Sequence, residues 1–230
     1  MKNGIFTDFH SHILPGADHG SDCVETSRKQ LGIISSHGIK YAVATPHFYP
    51  TSDNVDTFLE RRKACAERLR GALRDTDPEV YIGSEAHVCE GMEGMEGLDK
   101  LCVKGTRCIL IEMPFVKWTD RLYETVDAIA NGPLRPVIAH IDRYDPGMIE
   151  ELMTLNVRAQ LNPDPFYTRK GRKFADKWIG EGKVVAVGSD LHMANEEEYS
   201  FFAGVDEYLG GTAVIIERSM RELLEGAEKL

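Results

Sequence analysis

Residues 5–12 read Ile-Phe-Thr-Asp-Phe-His-Ser-His, and this stretch sets the pattern for the rest of the chain. Its first half is apolar and rich in strand-forming residues, which predicts a β-strand over residues 5–9. Side chains two residues apart in an extended chain point to the same side, so His10 and His12 would face one site together. The stretch therefore predicts a buried strand that delivers two imidazoles at its carboxyl end.

Six further runs share this length and apolar character, and longer amphipathic segments separate them. They predict strands at residues 41–45, 80–83, 108–112, 136–139, 157–161 and 184–188. The remaining segments predict helices at residues 23–36, 55–73, 120–130, 146–155, 170–181, 196–209 and 219–227. Runs this apolar are typical of parallel strands covered by helices. The alternation predicts an α/β fold, barrel-like or doubly wound, with residues 1–230 in a single domain because no change of composition marks a boundary.

The composition excludes several classes of protein. Of 230 residues, 42% are hydrophobic and 28% are charged, and the formal net charge of −10 argues against binding to nucleic acid or anionic lipid. No apolar run is long enough for a transmembrane helix, and the first residues lack the apolar segment of a signal peptide. The five cysteines are scattered, which predicts reduced thiols and a cytoplasmic protein. An anionic substrate would need a local positive charge, for which a bound metal is the obvious candidate.

Eight ionisable side chains follow directly after predicted strands. They are His10, His12, His47, Glu85, Glu112, His140, Asp190 and His192. Singly, each has a simpler explanation, such as a hydrogen-bonded histidine, a solvated carboxylate or a helix N-cap at Ser189 or Asp190. In a parallel barrel, however, the carboxyl ends of all strands meet on one face. Imidazoles and carboxylates together suit Mn, Fe or Zn, so this set predicts a centre of two or three ions. His87, two residues after Glu85, either lines the same pocket or caps a strand.

Six short motifs are similar to those of a known family. They are D-F-H-S-H-I-L-P-G-A-D-H-G at residues 8–20, A-T-P-H at 44–47, G-S-E at 83–85, L-I-E-M-P at 110–114, V-I-A-H-I-D-R-Y at 137–144 and G-S-D-L-H at 188–192. On these motifs the chain resembles the PHP (polymerase and histidinol phosphatase) superfamily of metallo-phosphoesterases. Within that superfamily it looks like the CpsB/CapC-type manganese-dependent protein tyrosine phosphatases of bacterial capsule and exopolysaccharide operons.

The resemblance implies a distorted seven-stranded, TIM-like (β/α) barrel with a three-metal centre, in which Mn is the metal and Fe or Zn are alternatives. The implied ligands are, for the first ion, His10, His12 and Asp190; for the second, Glu112 and His140; for the third, His47, His192 and His19; and Glu85 bridges the first two ions. Asp8 would orient a ligating histidine from behind. Arg143 would hold the substrate phosphate with its planar fork of donors.

The chain departs from the family pattern at two places. The family usually has D-D-G where this chain has Asp18-His19-Gly20, so His19 replaces a carboxylate ligand. Imidazole still binds the same metals. Asp18 is expected behind the ligands, like Asp8, with a position as an alternative ligand also open. The family also commonly has an arginine shortly after S-D-x-H, where this chain has Met193-Ala194-Asn195 followed by three glutamates. Those glutamates are equally consistent with a solvated helix start, which the helix dipole favours.

These features predict a metal-dependent phosphomonoester hydrolase, most simply one that acts on phosphotyrosine in a protein such as a bacterial tyrosine kinase. Hydroxide generated at the metals would attack phosphorus, Arg143 would neutralise the phosphoryl oxygens, and His47 or His192 would protonate the leaving oxygen. None of the cysteines begins a C-x-x-x-x-x-R loop, so a phosphocysteine route is not expected. Two alternatives stay open: a small-molecule phosphatase of the histidinol-phosphate type, and a metal-binding regulatory domain without turnover. The sequence does not predict an oligomeric state.

Overall fold

Strands form at each of the seven predicted places, and every pairing between them is parallel. The computed structural model describes residues 4–230, except for the side chains of residues 198, 201 and 203, so residues 1–3 of the predicted domain lie outside it. The strands are β1 (Thr7–Ser11), β2 (Tyr41–Ala44), β3 (His47–Phe48), β4 (Glu79–Ile82), β5 (Glu85–His87), β6 (Cys108–Glu112), β7 (Arg135–Ile138), β8 (Arg158–Leu161) and β9 (Val184–Val187). Their strong burial explains why they read as continuous apolar runs.

Nine strands are present where seven were predicted, because the chain forms a further short strand beyond two of the predicted ones: β3 follows the strand predicted at residues 41–45, and β5 follows the one predicted at 80–83. Between β2 and β3 lies Pro46, which has no N–H for a sheet ladder, and Thr45 N donates to Ser11 O at 2.8 Å. Between β4 and β5, the Ser84 hydroxyl donates to Leu101 O at 2.9 Å. The chain resumes beyond each break, and the residues that begin β3 and β5, His47 and Glu85, are direct partners in the new pairing.

The strands form two sheets, and the chain passes from one to the other between β2 and β3 and again between β4 and β5. One sheet has the order β1-β2-β4 and the other has the order β3-β5-β6-β7-β8-β9. Beyond β9, Asp190 N donates to His10 O at 2.8 Å and His12 N donates to Leu191 O at 3.0 Å. The segment that follows the last strand therefore lies alongside the end of the first. The result is a mixed α/β fold with parallel sheets, as predicted from the alternation of elements.

Helices occupy most of the segments between strands. They are α1 (Val24–Ser36), α2 (Val55–Arg70), α3 (Asp120–Asn131), α4 (Pro146–Leu152), α5 (Arg169–Gly180), α6 (Glu196–Leu209) and α7 (Ala213–Leu223). The predicted last helix at 219–227 is wrong in its bounds, because Gly226 adopts a φ of +84° and the chain then turns back to pair Lys229 with Tyr81. The glutamates after Asn195 form the start of α6, where Glu196 accepts from His37. Within the described residues, no helix is both long and apolar enough to cross a membrane.

Buried side chains are distributed unevenly along the strands. Large apolar residues such as Phe9, Phe48 and Phe58 are fully buried between the sheets and helices, and the rings of Phe48 and Phe58 meet edge to face at 5.2 Å. Ionisable and amide side chains that are equally buried cluster at the carboxyl ends of the strands. They include His10, His12, Glu85, His140 and Gln160. Such groups are rarely buried without partners, which directs attention to that end of the fold.

Candidate metal centre

The side chains predicted as ligands, apart from His19, come from strand ends and meet in one cluster. His10 lies on β1 and His12 follows it directly, His47 begins β3, Glu85 begins β5 and Glu112 ends β6. His140 follows β7, and the segment after β9 contributes Asp190 and His192. The potential ligand atoms fall into three groups, in each of which all atoms lie within 4.8 Å of one another.

The first group contains His10, His12, Glu85 and Asp190, the same four residues that the resemblance assigns to the first ion. His10 Nε2 lies 3.2 Å from Glu85 Oε2, and His12 Nε2 lies 3.2 Å from Asp190 Oδ1. The two histidine Nε2 atoms are 3.2 Å apart. Two ring nitrogens and two carboxylates thus converge on a volume of the size that one cation requires.

The position of the proton on the His12 ring shows whether the first group suits a cation. His12 Nδ1 lies 2.7 Å from Asp18 Oδ2 and donates to it, which leaves the lone pair of the neutral ring on Nε2. That lone pair points at two carboxylate oxygens, and buried Glu85 Oε2 has no hydrogen bond. Only a positive charge satisfies such an arrangement. Burial lowers the pKa of His12, but the contacts with Asp18, Asp190 and Glu85 outweigh this and raise it, which reflects the same demand.

The second group joins His47, Glu85 and Glu112. His47 Nδ1 lies 3.0 Å from Glu85 Oε2 and 3.8 Å from Glu112 Oε2. His140, predicted as a ligand here, lies outside the group, but its Nε2 is 2.8 Å from Glu85 Oε1 and 3.9 Å from Glu112 Oε1. His87 Nδ1 contacts Glu112 Oε2 at 3.0 Å, so this histidine lines the pocket. Glu85 belongs to the first two groups, as its predicted bridging position requires.

The third group contains His12, His47 and His192. His47 Nε2 and His192 Nε2 are 3.4 Å apart, while His192 Nδ1 lies 2.8 Å from Asp190 O, a carbonyl to which it donates. Burial, followed by the charge of His12, lowers the pKa of His192 to about 4, which favours the neutral ring that metals bind. His19, predicted as a ligand here, is exposed and outside the group; its ring centre lies 4.6 Å from that of His192 and 4.7 Å from that of His47.

Two of the residues in this cluster have left-handed backbone conformations. His140 has a φ of +32° and Asp190 has a φ of +54°, and they are the only non-glycine residues with positive φ in the described chain. Each such conformation costs about 1–3 kcal/mol and persists only where the surroundings enforce it. The conformation of Asp190 is held by the hydrogen bond from its backbone N–H to His10 O. Nearby Gly188 allows the two segments to approach closely, since a Cβ there would lie 2.5 Å from His10 Cβ. Strain is thus concentrated where ligands are presented.

The two carboxylates predicted to lie behind the ligands act differently from each other. Asp18 accepts from the His12 ring and also from Gly20 N and His47 N, each at 2.9 Å, and these donors hold its pKa below the usual range despite burial. Asp8, by contrast, does not contact a histidine ring. Its carboxylate accepts from Ser189 N at 2.9 Å, Ser189 Oγ at 2.7 Å and Tyr199 OH at 3.1 Å. Asp8 Oδ1 also accepts from the backbone N–H of His10 at 3.4 Å, so Asp8 supports this histidine through its backbone and fixes the loop that carries Asp190.

Arg62 holds the chain just before Glu85. Its Nη1 donates to Gly83 O at 3.0 Å and to Ser84 Oγ at 2.7 Å, and its Nη2 donates to Lys100 O at 3.0 Å. The guanidinium is buried, which lowers its pKa to about 10. These three bonds fix the break between β4 and β5 from which the Glu85 side chain enters the cluster.

Arg143, the predicted phosphate-binding residue, stands at the rim of the cluster. Its Nη1 donates to Asp190 Oδ2 at 2.9 Å, while nearly half of the side chain is exposed. Its guanidinium carbon lies 5.1 Å from the centre of the Phe115 ring. Arg143 also lies between two cavities, and the one of about 620 Å³ adjoins Asp190 and His192. The other, of about 500 Å³, is lined by Pro114, Phe115, Val116, Lys117, Arg143, Tyr144, Asp145 and Met148.

Two residues of the site were missed from the sequence. Gln160 and Asn162, at the end of β8, are buried, and their amides contact His10, His140 and Asp190. Their side chains are amides, whereas the predicted ligands are histidines and carboxylates. The available signal was the position of Gln160-Leu161-Asn162 at a strand end, with two amides on the same side of the strand.

Neither cysteine chemistry nor an activated thiol is evident in the cluster. None of the five cysteines belongs to the three groups of potential ligands. Burial raises the pKa of Cys102 to about 12 and that of Cys108 further still, so both remain thiols at neutral pH. A buried thiol of this kind is inert, in agreement with the absence of a C-x-x-x-x-x-R loop.

The fold and this cluster define a class: a parallel α/β protein with a candidate multi-metal centre at the carboxyl ends of its strands. The family model described as "Capsular polysaccharide synthesis, CpsB/CapC" matches residues 6–203. The chain therefore belongs to the CpsB/CapC family, which confirms the resemblance drawn from the six motifs.

Individual relatives agree with this assignment. The chain is 24% identical to tyrosine-protein phosphatase CpsB of Streptococcus pneumoniae, with 80% of this chain and 82% of that protein covered. It is also 24% identical to tyrosine-protein phosphatase YwqE of Bacillus subtilis (strain 168), with 84% and 79% covered. A solved structure from a study of YwqE and CpsB, described there as metal-dependent tyrosine phosphatases, superposes with a TM-score of 0.74 at 20% identity and covers 97% of both chains. This last similarity establishes the shared fold.

Proposed function

We propose that this protein is a metal-dependent phosphatase that hydrolyses phosphotyrosine in proteins. The proposal is supported by membership of the CpsB/CapC family and by the names of its relatives, which are tyrosine-protein phosphatases. The observation that carries it is the convergence of four histidine rings on Glu85, a fully buried carboxylate with one oxygen that has no hydrogen bond. Divalent cations provide the positive charge that this arrangement lacks.

We assign the ligands from the three groups of atoms. The first cation would be held by His10, His12, Glu85 and Asp190; the second by Glu85, Glu112 and His140; and the third by His47 and His192, with the His19 ring beside them. Mn suits this mixture of imidazole and carboxylate, as do Fe and Zn. We also propose that the strands form one closed barrel, because the segment after β9 bonds to β1. In this barrel β2 with β3, and β4 with β5, each count as one strand, which gives seven. The barrel makes up one domain over residues 1–230. Five unpaired cysteines favour a cytoplasmic location.

The chain's own residues provide the other parts of the mechanism. Bound divalent cations supply a nucleophile at neutral pH because they lower the pKa of water, and they also neutralise phosphoryl charge. Arg143 is tethered through one nitrogen to Asp190, so its remaining donors are free to bind phosphate oxygens. His192, whose pKa is lowered to about 4, acts as a ligand rather than a proton donor, and His47 is likewise placed among ligands. A tyrosine leaving group has little need of a proton donor because its own pKa is only about 10.

The surface beside Arg143 supports an aromatic substrate on a large partner. Phe115 and Val116 are 56% and 67% exposed and form the apolar wall of an open cavity. A phosphate bound by Arg143 next to Asp190 would place an attached aryl ring against this wall. Lys117 adds a positive charge at the same rim, which would attract an acidic segment of a partner protein. A bacterial tyrosine kinase is the partner that the family resemblance implies.

The proposal is tested by comparing substrates with and without metal. Protein stripped with EDTA and then supplied with Mn²⁺, Fe²⁺ or Zn²⁺ is assayed on a phosphotyrosine peptide, the matching phosphoserine peptide and histidinol phosphate. We expect no turnover without metal, restoration by Mn²⁺, and the highest kcat/KM on the phosphotyrosine peptide. A preference for histidinol phosphate would identify a small-molecule phosphatase. Metal binding without turnover of any of the three would identify a regulatory domain.

A further inference from the structure

Strand β8 provides no histidine or carboxylate to the cluster, yet it lies between β7 and β9, whose ends carry His140 and Asp190. Its end carries two buried amides, Gln160 and Asn162. A buried amide without partners would cost a few kcal/mol, so its contacts are informative. The contacts of these two amides run to residues assigned above as ligands.

The orientation of the Gln160 amide follows from its neighbours. Backbone N–H of His140 donates to the Gln160 side chain at 2.7 Å, and a backbone amide can only donate, so the atom that faces it is the oxygen. The NH₂ group must then face Asn162 Oδ1, which lies 2.9 Å away. Asn162 Nδ2 in turn donates to Asp190 Oδ2 at 3.2 Å. The bonds run in one direction, from the His140 amide to the Asp190 carboxylate, and reversing either amide would place like groups against each other.

This orientation determines which nitrogen of His10 carries a proton. His10 Nδ1 lies 3.3 Å from the same Gln160 oxygen, which accepts hydrogen bonds and cannot donate them. Nδ1 of the neutral ring therefore carries the proton and Nε2 carries the lone pair. Nε2 is the atom that points at Glu85 Oε2 and Asp190 Oδ1. The opposite tautomer would set two lone pairs against each other at Gln160 and direct a proton into the position of the cation.

We propose that Gln160 and Asn162 are positioning residues, through which β8 fixes the His10 tautomer, the left-handed backbone of His140 and the orientation of the Asp190 carboxylate. The proposal rests on the function above, in which these residues hold a cation. A ligand histidine commonly donates its second ring N–H to a fixed acceptor, and loss of that acceptor weakens metal binding by about 10–100-fold. Gln160 is such an acceptor and serves two ligand-bearing strands with one oxygen.

A pair of variants separates positioning from packing. Gln160→Met retains the shape of the side chain but removes both hydrogen-bonding groups, whereas Gln160→Glu retains the oxygen that faces His10 and His140. We expect the Mn²⁺ dissociation constant, measured by competition with a fluorescent chelator, to rise about 10–100-fold in Gln160→Met. The rise should be smaller in Gln160→Glu, which keeps the acceptor for His10 and His140 but loses the donor to Asn162 Oδ1. A role in packing alone would leave Mn²⁺ affinity unchanged in any Gln160→Met protein that folds, and that result would overturn the proposal.

The tautomer is measured directly on the wild-type protein, so the test does not depend on a variant that folds. In the Zn²⁺-loaded protein, long-range ¹H–¹⁵N correlation spectra distinguish Nδ1–H from Nε2–H, and the His10→Gln spectrum identifies the His10 signals. We expect His10 to carry its proton on Nδ1. A proton on Nε2 would contradict the inference even if the metal is bound. Failure of the wild-type protein to bind any metal would instead contradict the proposed function, so the two failures are distinguishable.

Discussion

Two carboxylates bracket strand β1, and they differ in what surrounds them. At its amino end, Glu217 accepts from Phe6 N at 2.9 Å, Thr7 N at 3.0 Å and Thr7 Oγ at 2.8 Å. At its carboxyl end, Glu85 faces four histidine rings, and its Oε2 has no hydrogen bond. We call the surroundings of Glu217 the closed end of β1 and those of Glu85 the open end. At the closed end fixed donors satisfy the carboxylate, whereas at the open end Oε1 has His140 Nε2 as a partner and Oε2 has no hydrogen bond.

The pKa shifts of the two carboxyls express this difference. Burial raises the pKa of Glu217, and its three donors only partly offset that effect. Burial also acts to raise the pKa of Glu85, but the positive charge and hydrogen bonds of His10 and the other rings lower it well below the usual range. Glu85 at the open end is therefore kept ionised by positive charge close to it. A carboxylate whose oxygens all accept from fixed donors, such as Glu217, indicates a structural role. A carboxylate surrounded by ring nitrogens, such as Glu85, indicates a cation site.

The largest effect is expected at the open end. Glu85→Gln removes a charge shared by two of the three ligand groups, so we expect it to abolish tight Mn²⁺ binding and lower turnover of a phosphotyrosine peptide by more than about 100-fold, since even loss of a supporting residue costs 10–100-fold. Metal content by mass spectrometry and steady-state kinetics give the two values. Glu217→Gln is the matched control and should bind metal like wild type. Equal loss in both variants would refute the distinction between the two ends.

A smaller loss is expected at the rim of the open end. Arg143→Ala removes the donors assigned to the phosphate but none of the assigned ligands, so kcat/KM should fall about 10–100-fold while the metal content is unchanged. Arg143→Lys retains the charge without the planar fork and should recover only part of the activity. If Arg143→Ala instead loses its metal, the bond to Asp190 is the main role of this arginine, and the assignment to phosphate is wrong.

The open end could be predicted from the sequence to the extent that its residues follow strands. His10, His12, Glu85 and Asp190 each stand at the end of an apolar run, and parallel strands bring such ends together, so their meeting needed no knowledge of register. His19 instead lies on a loop, and the path of a loop depends on tertiary contacts that the sequence pattern does not show. His19 lies outside the three groups of potential ligand atoms. The contact between Asp8 and Ser189 could not be predicted, because the two residues are 181 positions apart and become neighbours only when β9 packs beside β1.

The amides of β8 illustrate what pattern alone could not provide. Gln160 and Asn162 have no titratable group and no metal affinity that would distinguish them in a sequence. Their role follows from the direction of their hydrogen bonds, which depends on the register of β8 between two neighbours. The closed end was equally hidden, because Glu217 lies on α7, a helix whose start the amphipathic pattern placed six residues too late. The ligand residues at strand ends can thus be predicted from the sequence, whereas the residues that support them through hydrogen bonds cannot.

The cavity beside the open end provides a test of substrate class. Phe115→Ala removes the exposed ring of the apolar wall, and we expect kcat/KM to fall about fivefold to tenfold on a phosphotyrosine peptide, as for loss of one aromatic contact of about 1 kcal/mol. Hydrolysis of a small alkyl phosphate should be unchanged. Val116→Ala, at the neighbouring exposed position, is the control and should have a smaller effect. An equal loss on both substrates would mean that Phe115 acts on the metal centre, through its stacking on His140, rather than on the substrate.

The smallest effect is expected at the closed end, and its dependence on pH is specific. In Glu217→Gln, the amide oxygen can accept from both backbone N–H groups while its NH₂ donates to Thr7 Oγ, so activity should stay within about twofold of wild type and the free energy of unfolding within about 1 kcal/mol. Because the folded pKa of Glu217 is raised above 4.5, the folded wild type binds more protons than the unfolded chain between these two values. This group's contribution is therefore fully present below about pH 4.5 and is lost as the pH rises through the folded pKa.

The glutamine cannot titrate, so the stability of Glu217→Gln relative to wild type should increase as the pH rises from 4.5 towards neutrality. Urea unfolding of both proteins after chelation, repeated across that interval, measures the difference, and the groups of the metal centre cancel because both proteins contain them. A constant difference across the interval would mean that Glu217 titrates alike in the folded and unfolded chains. A difference in stability that decreases with pH would mean that the donors to Glu217 outweigh its burial and lower its pKa. The pKa values of Glu217 and Glu85 would then be shifted in the same direction.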